Sequence, residues 1–206
     1  MSDDVLGRLL AVLRVPLAEI RAAYRVGSRV YGTAGPTSDE DFLVVLSKPG
    51  QRQDLAFAED LNIVIHGVAT FQEALDDHSV FALECHFVEA PHVLVAARPP
   101  FRFALDRKKL AASAIGKSTA DWQKAKKRFA EEPGPSRKKA FHALRVPAFA
   151  LQIAKAGKIH DFAAANHFLA ALREGPDDDF AWYEEKLGPA REALCAELTK
   201  LAGKKR

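Results

Sequence analysis

The sequence predicts an α+β fold: a small mixed sheet with helices over residues 1–100, then a helical domain over residues 101–206. Three observations point there. Short apolar runs of strand length, bounded by turn residues, are confined to the first half. Apolar positions at helical spacing fill the second half. The charge is divided along the chain. Residues 1–100 hold 8 Lys/Arg against 14 Asp/Glu, residues 101–145 hold 13 against 4, and the remainder balances, so a net charge of +3 conceals an acidic half and a basic middle block. With 206 residues, 48% hydrophobic and 28% charged, the balance is globular and excludes wholesale disorder, collagen-like repeats and coiled-coil rods.

Each element follows from its residues. Val5, Leu9, Val12 and Leu13 give a helix over 3–14, interrupted by Pro16. Residues 19–26 (EIRAAYRV) read as a strand running into a turn at Gly27-Ser28. Residues 40–47 (EDFLVVLS) are a second strand, closed by a turn at Lys48-Pro49-Gly50, and 61–66 (LNIVIH) a third. Thr70, with Glu73 three residues on, has the pattern of a capping box ahead of a short helix. Periodicity leaves 83–88 open between strand and helix. Helices are expected over 106–130, 136–156, 161–173 and 179–202, with Gly157 as a C-terminal stop and Asp177-Asp178-Asp179 capping the last. Arg98-Pro99-Pro100 marks the expected junction.

Two cysteines, Cys85 and Cys195, lie far apart and form neither a metal-binding pair nor a disulfide framework. The start, Met1-Ser2-Asp3-Asp4, lacks the basic-then-apolar pattern of a secretion signal, and there is no run of about 18 apolar residues. A cytoplasmic protein without membrane spans is the expectation.

The informative stretch is VGSRVYGTAGPTSDEDFLVV, residues 26–45. On a strand, Asp39 and Asp41 point to one face while Phe42, Val44 and Leu46 supply the opposite, apolar one. Two carboxylates side by side repel unless a cation lies between them, which is how hard divalent ions are gathered for phosphoryl chemistry. A glycine at the end of the preceding strand lets backbone N–H groups approach a phosphate. Ser28 adds a hydroxyl, Arg29 a cation, and a helix starting at Ser28 a favourable dipole. Asp-x-Asp alone, or Gly-Ser alone, means little. The order of strand, Gly27-Ser28, Ser38, and Asp39-x-Asp41 opening an apolar strand is what carries the reading.

That order resembles the nucleotidyltransferase motif of the DNA polymerase beta superfamily, and Gly27-Ser28-Arg29-x-Tyr31-Gly32 with Ser38-Asp39-x-Asp41 is most similar to small bacterial predicted nucleotidyltransferases, including an RNA-repair-associated group. More loosely, the similarity extends to Phe71, Leu83-Glu84 and residues 139–166. The resemblance implies a magnesium-dependent enzyme, with manganese as a substitute, that moves a nucleoside monophosphate from a nucleoside triphosphate such as ATP to a hydroxyl and releases pyrophosphate. It implies that Gly27, Ser28, Arg29 and Ser38 hold the nucleotide and that Asp39 and Asp41 bind metal, two ions in an active enzyme.

The resemblance also implies a third carboxylate on a later strand. On 61–66 that place falls to Asn62, whose amide can ligate a cation but adds no charge and cannot serve as a base. Glu84 is the assigned replacement, with Asp60 and His66 as the other candidates. The alternative is a degenerate module that binds nucleotide or RNA without catalysis.

In the helical half, Arg107, Lys108, Lys109, Lys117, Lys124, Lys126, Lys127 and Arg128 surround Trp122. Positive charge beside an aromatic suits RNA, although Trp122 reads more simply as core. Lys117 is a candidate triphosphate contact without the glycine spacing of a P-loop. His142 and Arg145, three residues apart, share a helix face and are candidate nucleotide contacts at a cleft between the modules. The remaining histidines show no zinc-ligand spacing. The base, the acceptor (RNA, protein or small molecule) and the oligomeric state are not legible.

Overall fold

The structure is a computed structural model and describes residues 2–47, 54–58 and 60–203. The turn expected at Lys48-Pro49-Gly50 lies outside the described residues. The chain divides into two compact units: residues 1–76 with 81–104, and residues 77–80 with 105–206. The junction expected at residues 98–100 is thus drawn between Ala104 and Leu105, and a short piece ahead of it groups with the second unit.

The first unit is the α+β part. After α1 (Ser2–Leu13) come β1 (Ile20–Val26), the single turn α2 (Ser28–Tyr31), β2 (Glu40–Leu46), β3 (Asp54–Ala58) and β4 (Leu61–Gly67), then α3 (Val68–Asp76), α4 (Val80–Phe87) and β5 (Val93–Val95). The five strands lie in the order β3-β4-β2-β1-β5. The central pair β2/β4 is parallel and the remaining pairs are antiparallel. Parallel pairing requires the chain to leave β2 and re-enter alongside it, and edge strand β3 supplies that excursion. Val5 and Leu9 of α1 bury against Ile20, Ala23, Phe42, Val44, Leu61 and Ile63 on one face of the sheet. On the opposite face Tyr24 stacks on Phe71 of α3, ring centroids 6.0 Å apart, and burial pushes the Tyr24 phenol up to about 12.

Two local expectations need correction. The third helix begins at Val68, directly out of β4, so Thr70 lies inside it and its hydroxyl donates back to the Gly67 carbonyl at 3.0 Å instead of capping. Residues 83–88, undecided from sequence, lie mostly in α4.

The second unit is helical: α5 (Arg107–Arg128), α6 (Pro133–Ala156), α7 (Leu169–Glu174) and α8 (Phe180–Gly203). Asp106 caps α5 by accepting from the N–H groups of Lys108 (2.8 Å) and Lys109 (3.1 Å), bonds that hold its carboxyl below the usual range. Helix α6 starts at Pro133, three residues earlier than expected, because the first helical turn does not need the N–H that proline lacks. It ends at Gly157 in the left-handed conformation (φ 78°), as expected. The helix expected over 161–173 is shorter. A single 3-10 turn at Asn166–Phe168 leads into α7, and Gln152 instead ties down the backbone of His160 and Asp161. Asp179 caps α8 by accepting from Ala181 N at 2.8 Å. Trp122, Phe129, Phe141, Leu144, Phe180 and Tyr183 form the core of this unit, which settles Trp122 as a packing residue. Among the described residues no helix is long and apolar enough to cross a membrane.

His66, buried on β4 between Phe81 (centroids 5.3 Å) and Phe71 (6.3 Å), has no hydrogen-bond partner at either ring nitrogen among the described residues. Burial lowers its pKa, and burial likewise lowers those of His86 and His92 in the same unit. A histidine kept neutral in the fold is protonated more readily in the unfolded chain. Stability is therefore full above the unfolded value of about 6.5 and is lost as the pH falls below it. The melting temperature is expected to drop between pH 7.5 and 5.5, and His66→Phe, which suits the aromatic surroundings, to flatten that drop. Circular dichroism melts across the range check this, and an unchanged slope in the variant would contradict it.

Candidate active site

The site is built on the ends of β1, β2 and β4. Register places Val26 opposite Asp41, and Asp41 beside Asn62 on the parallel strand. Cross-strand neighbours share a face, so Asp41 and Asn62 emerge together, and Asp39, two residues before Asp41, emerges with them. Asn62 Nδ2 donates to both carboxylates, at 3.1 Å to Asp41 Oδ1 and 3.3 Å to Asp39 Oδ2. One amide nitrogen reaching both oxygens puts the two acids side by side, and its partial positive charge eases their repulsion.

Gly27 makes the turn that faces them. Its φ of 76° lies in the left-handed region, and a Cβ placed there would stand 2.1 Å from Asp41 Oδ2. Only glycine lets the backbone pass so close to the carboxylate. From Gly27 the chain enters α2, whose Val30 and Tyr31 N–H groups bond to the Gly27 carbonyl at 3.0 and 3.2 Å. At four residues, α2 carries little of the dipole expected for a helix starting at Ser28.

Arg29 and Ser38 shape the connection to β2. Arg29 Nη2 donates to the Ser38 carbonyl at 3.1 Å, and its Nε lies 3.6 Å from Glu40 Oε1. Ser38 Oγ accepts from Gly35 N at 2.9 Å. Both residues thus hold the loop that delivers Asp39, with Arg29 still partly exposed.

Glu84, the assigned third acid, comes from the element that follows α3. It is buried on α4, where the Tyr31 hydroxyl donates to its Oε2. Asp60 is paired with Arg8, and its carbonyl accepts from Glu40 N at 2.8 Å. His66 lies four residues along the strand from Asn62, among aromatic rings. Among the described residues no group of three His, Cys, Asp or Glu side chains is placed to hold a metal. The hard oxygens of Asp39 and Asp41 fit one magnesium or manganese ion. Asn62 offers no charge for a second.

The remaining candidates lie on the helical unit, where the structure gathers some of them and separates others. Lys117 and His142 meet at Asp121. Its carboxylate is bonded by His142 Nδ1 and by Lys117 Nζ at 2.9 Å, and Lys139 Nζ lies 3.8 Å away. Burial works against the charged carboxylate, but the bonds from His142 and Lys117 outweigh it and hold the acid far below its usual range. Arg145 lies over the rings of Phe141 (5.6 Å) and Phe149 (5.9 Å). Much of the basic block is engaged within the unit: Lys126 with Glu184, Arg128 with Glu132, and Arg107 with the Ala154 carbonyl. Sequence reasoning missed Asp121 and Lys139. The signal was there, in Lys117–Asp121 at i,i+4 and Lys139–His142 at i,i+3.

Residues 11–112 match the family model described as a nucleotidyltransferase domain. Among solved structures the chain is similar to spectinomycin adenyltransferase AAD(9) from Enterococcus faecialis, solved with ATP and spectinomycin, at 12% identity over 96% of this chain and 98% of that one, with a TM-score of 0.49. It is also similar to a nucleotidyltransferase-like protein from Exiguobacterium sibiricum 255-15, at 10% identity over 98% and 76%, with a TM-score of 0.36. The search of curated proteins found no match. The matched residues contain the five described strands, the Gly27 turn and the Asp39–Asp41 pair, and they identify this part of the chain as a nucleotidyltransferase domain.

Proposed function

We propose that the protein transfers a nucleoside monophosphate from a nucleoside triphosphate to a hydroxyl acceptor, releasing pyrophosphate, with a divalent ion held by Asp39 and Asp41. The observation that carries this is the pair of carboxylates bridged by Asn62, with Asp41 close against the Gly27 turn. Asp39 and Asp41 would hold the ion, which when bound would supply neutralisation of phosphate charge. The protein's part is alignment: Gly27 and Ser28 bind the triphosphate, while Arg29 and Ser38 set the loop that aims Asp39. Glu84 acts through Tyr31, fixing the turn that follows Ser28. Lys117, His142 and Arg145 serve as further phosphate contacts. Exposed Lys124 and Lys127 suit an RNA acceptor in the cytoplasm.

Asn62 favours a second reading, binding without transfer, because it withholds the charge and the base of a third acid. Incubation with each α-labelled nucleoside triphosphate, magnesium or manganese, and pooled RNA, protein and metabolite fractions separates the two. Label in an acceptor with pyrophosphate release supports transfer. Retained, unreacted nucleotide supports the second reading. Asn62→Asp is expected to add a second manganese ion per chain, counted by electron paramagnetic resonance. Unchanged stoichiometry would show that the third position is not at Asn62.

A further inference from the structure

We propose that the groove between α5 and α8 binds a small zwitterion with an apolar body, its carboxylate on Arg191 and its ammonium on Glu192. The groove lies wholly within the helical unit, and the inference does not rest on the transfer reading. The two helices run antiparallel: Lys126 meets Glu184, while Trp122, one turn earlier on α5, meets Arg191, two turns later on α8. Between them lies a cavity of about 360 Å³. Trp122, 7% exposed, lines it, and the Arg191 guanidinium lies 5.6 Å over the ring. Arg191 Nε is buried and has no hydrogen-bond partner among the described residues. A buried N–H without an acceptor is costly, so an acceptor belongs there. Gly188 keeps the α8 side of the groove open, since a Cβ on it would meet nothing within 4 Å.

The lining selects the class of ligand. Its charged side chains are Lys126, Arg191, Glu184 and Glu192, so the charges balance. Lys126 Nζ donates to both Glu184 oxygens, at 2.8 and 3.0 Å, and those two charges answer each other. Arg191 and the exposed Glu192 are left, adjacent in sequence and opposite in sign. A multiply charged anion would be repelled by the two carboxylates, and a simple cation by Arg191. A molecule with one carboxylate and one ammonium meets both, and its carboxylate makes the charge-assisted bond that Nε lacks. The indole of Trp122 offers apolar surface to the rest of it. Helix packing does not require the groove, because Trp122, Phe180 and Leu187 already share one apolar core.

The test follows Trp122 fluorescence in the full chain carrying Trp182→Phe, which leaves Trp122 as the single indole. L-Leucine is the probe, a non-fluorescent zwitterion with a branched apolar body. A saturable change is expected, with the same affinity by calorimetry on the unsubstituted chain. Two analogues divide the charges. 4-Methylpentanoate keeps the carboxylate without the ammonium, and 3-methylbutylamine keeps the ammonium without the carboxylate. Each is expected to bind at least about fivefold more weakly, and Arg191→Gln to weaken leucine binding at least about tenfold. Gly188→Leu fills the groove from a position with room for a side chain and replaces glycine with a better helix former. It is expected to abolish binding while the melting temperature holds or rises. No saturable change with leucine, equal binding of either analogue, or full binding in Arg191→Gln or Gly188→Leu would overturn the proposal. If Trp182→Phe fails to fold, calorimetry on the unsubstituted chain and on Gly188→Leu decides. Because no nucleotide is present and no turnover is read, a chain without transferase activity can pass this test and an active one can fail it.

Discussion

Gly27→Ala is expected to abolish nucleotidyl transfer in a chain that still folds. The new methyl carbon would lie 2.1 Å from Asp41 Oδ2 and 2.9 Å from Asp41 Cβ and Cγ, closer than non-bonded atoms approach. Two escapes exist. The turn moves outward, withdrawing the backbone from the phosphate, or the Asp41 carboxylate swings aside and parts from Asp39. Either dismantles the arrangement on which transfer depends. With ψ at −156° the Gly27 backbone lies in a region essentially reserved for glycine and adds about 1–3 kcal/mol of strain for any side chain, a fraction of the roughly 5–15 kcal/mol that holds a typical domain together. Gly32→Ala is the control. Gly32 also has a left-handed φ, 70°, but its Cβ would meet nothing within 4 Å. Both variants should melt a few degrees lower by circular dichroism, with label transfer lost in Gly27→Ala and kept in Gly32→Ala. Equal activity in the two would separate the glycine from the chemistry.

Asp41→Asn is expected to lower transfer by about a thousandfold, since the charge stabilisation supplied through a bound ion is worth several kcal/mol. Its melting temperature should not fall. The substitution keeps the size of the side chain and removes one of two neighbouring like charges, so the native state loses repulsion rather than packing. Asp39→Asn should behave alike. Lost activity with retained stability marks a site in which the fold tolerates unfavourable electrostatics for the sake of function. A variant that loses both together would make Asp41 a structural residue. Paired melts and transfer assays on the same preparations give the answer.

The motif was legible because its constraints are local. Strand parity alone puts Asp39 and Asp41 on one face, and a glycine ending β1 is a signal that needs no partner. The parallel register that brings Asn62 to Asp41 was legible only through the family resemblance, since sequence spacing does not choose between parallel and antiparallel neighbours. Strands β3 and β5 went unread. DLAFA offers five residues of ordinary composition and VLV three, and both become strands through pairing with β4 and β1. Thr70 has the residues of a cap but not the geometry, because β4 feeds α3 without a break. The partner of Glu84 went unread for a related reason. Its helix buries it against Tyr31, and the partner of a buried carboxylate is a fact of tertiary structure. The Asp121 cluster joins residues of two helices, Asp121 and His142 lying 21 positions apart in sequence, so only its within-helix halves could be read.

The central claim is that Asp39 and Asp41 together hold a divalent ion facing the Gly27 turn. Crystals grown with manganese and a non-hydrolysable nucleoside triphosphate test it most directly through the anomalous scattering of the metal. The account predicts a manganese peak bonded to both carboxylates and to a phosphate oxygen, with the triphosphate against Gly27 and Ser28. Manganese bound elsewhere, or a triphosphate seated with no contact to either aspartate, would contradict it.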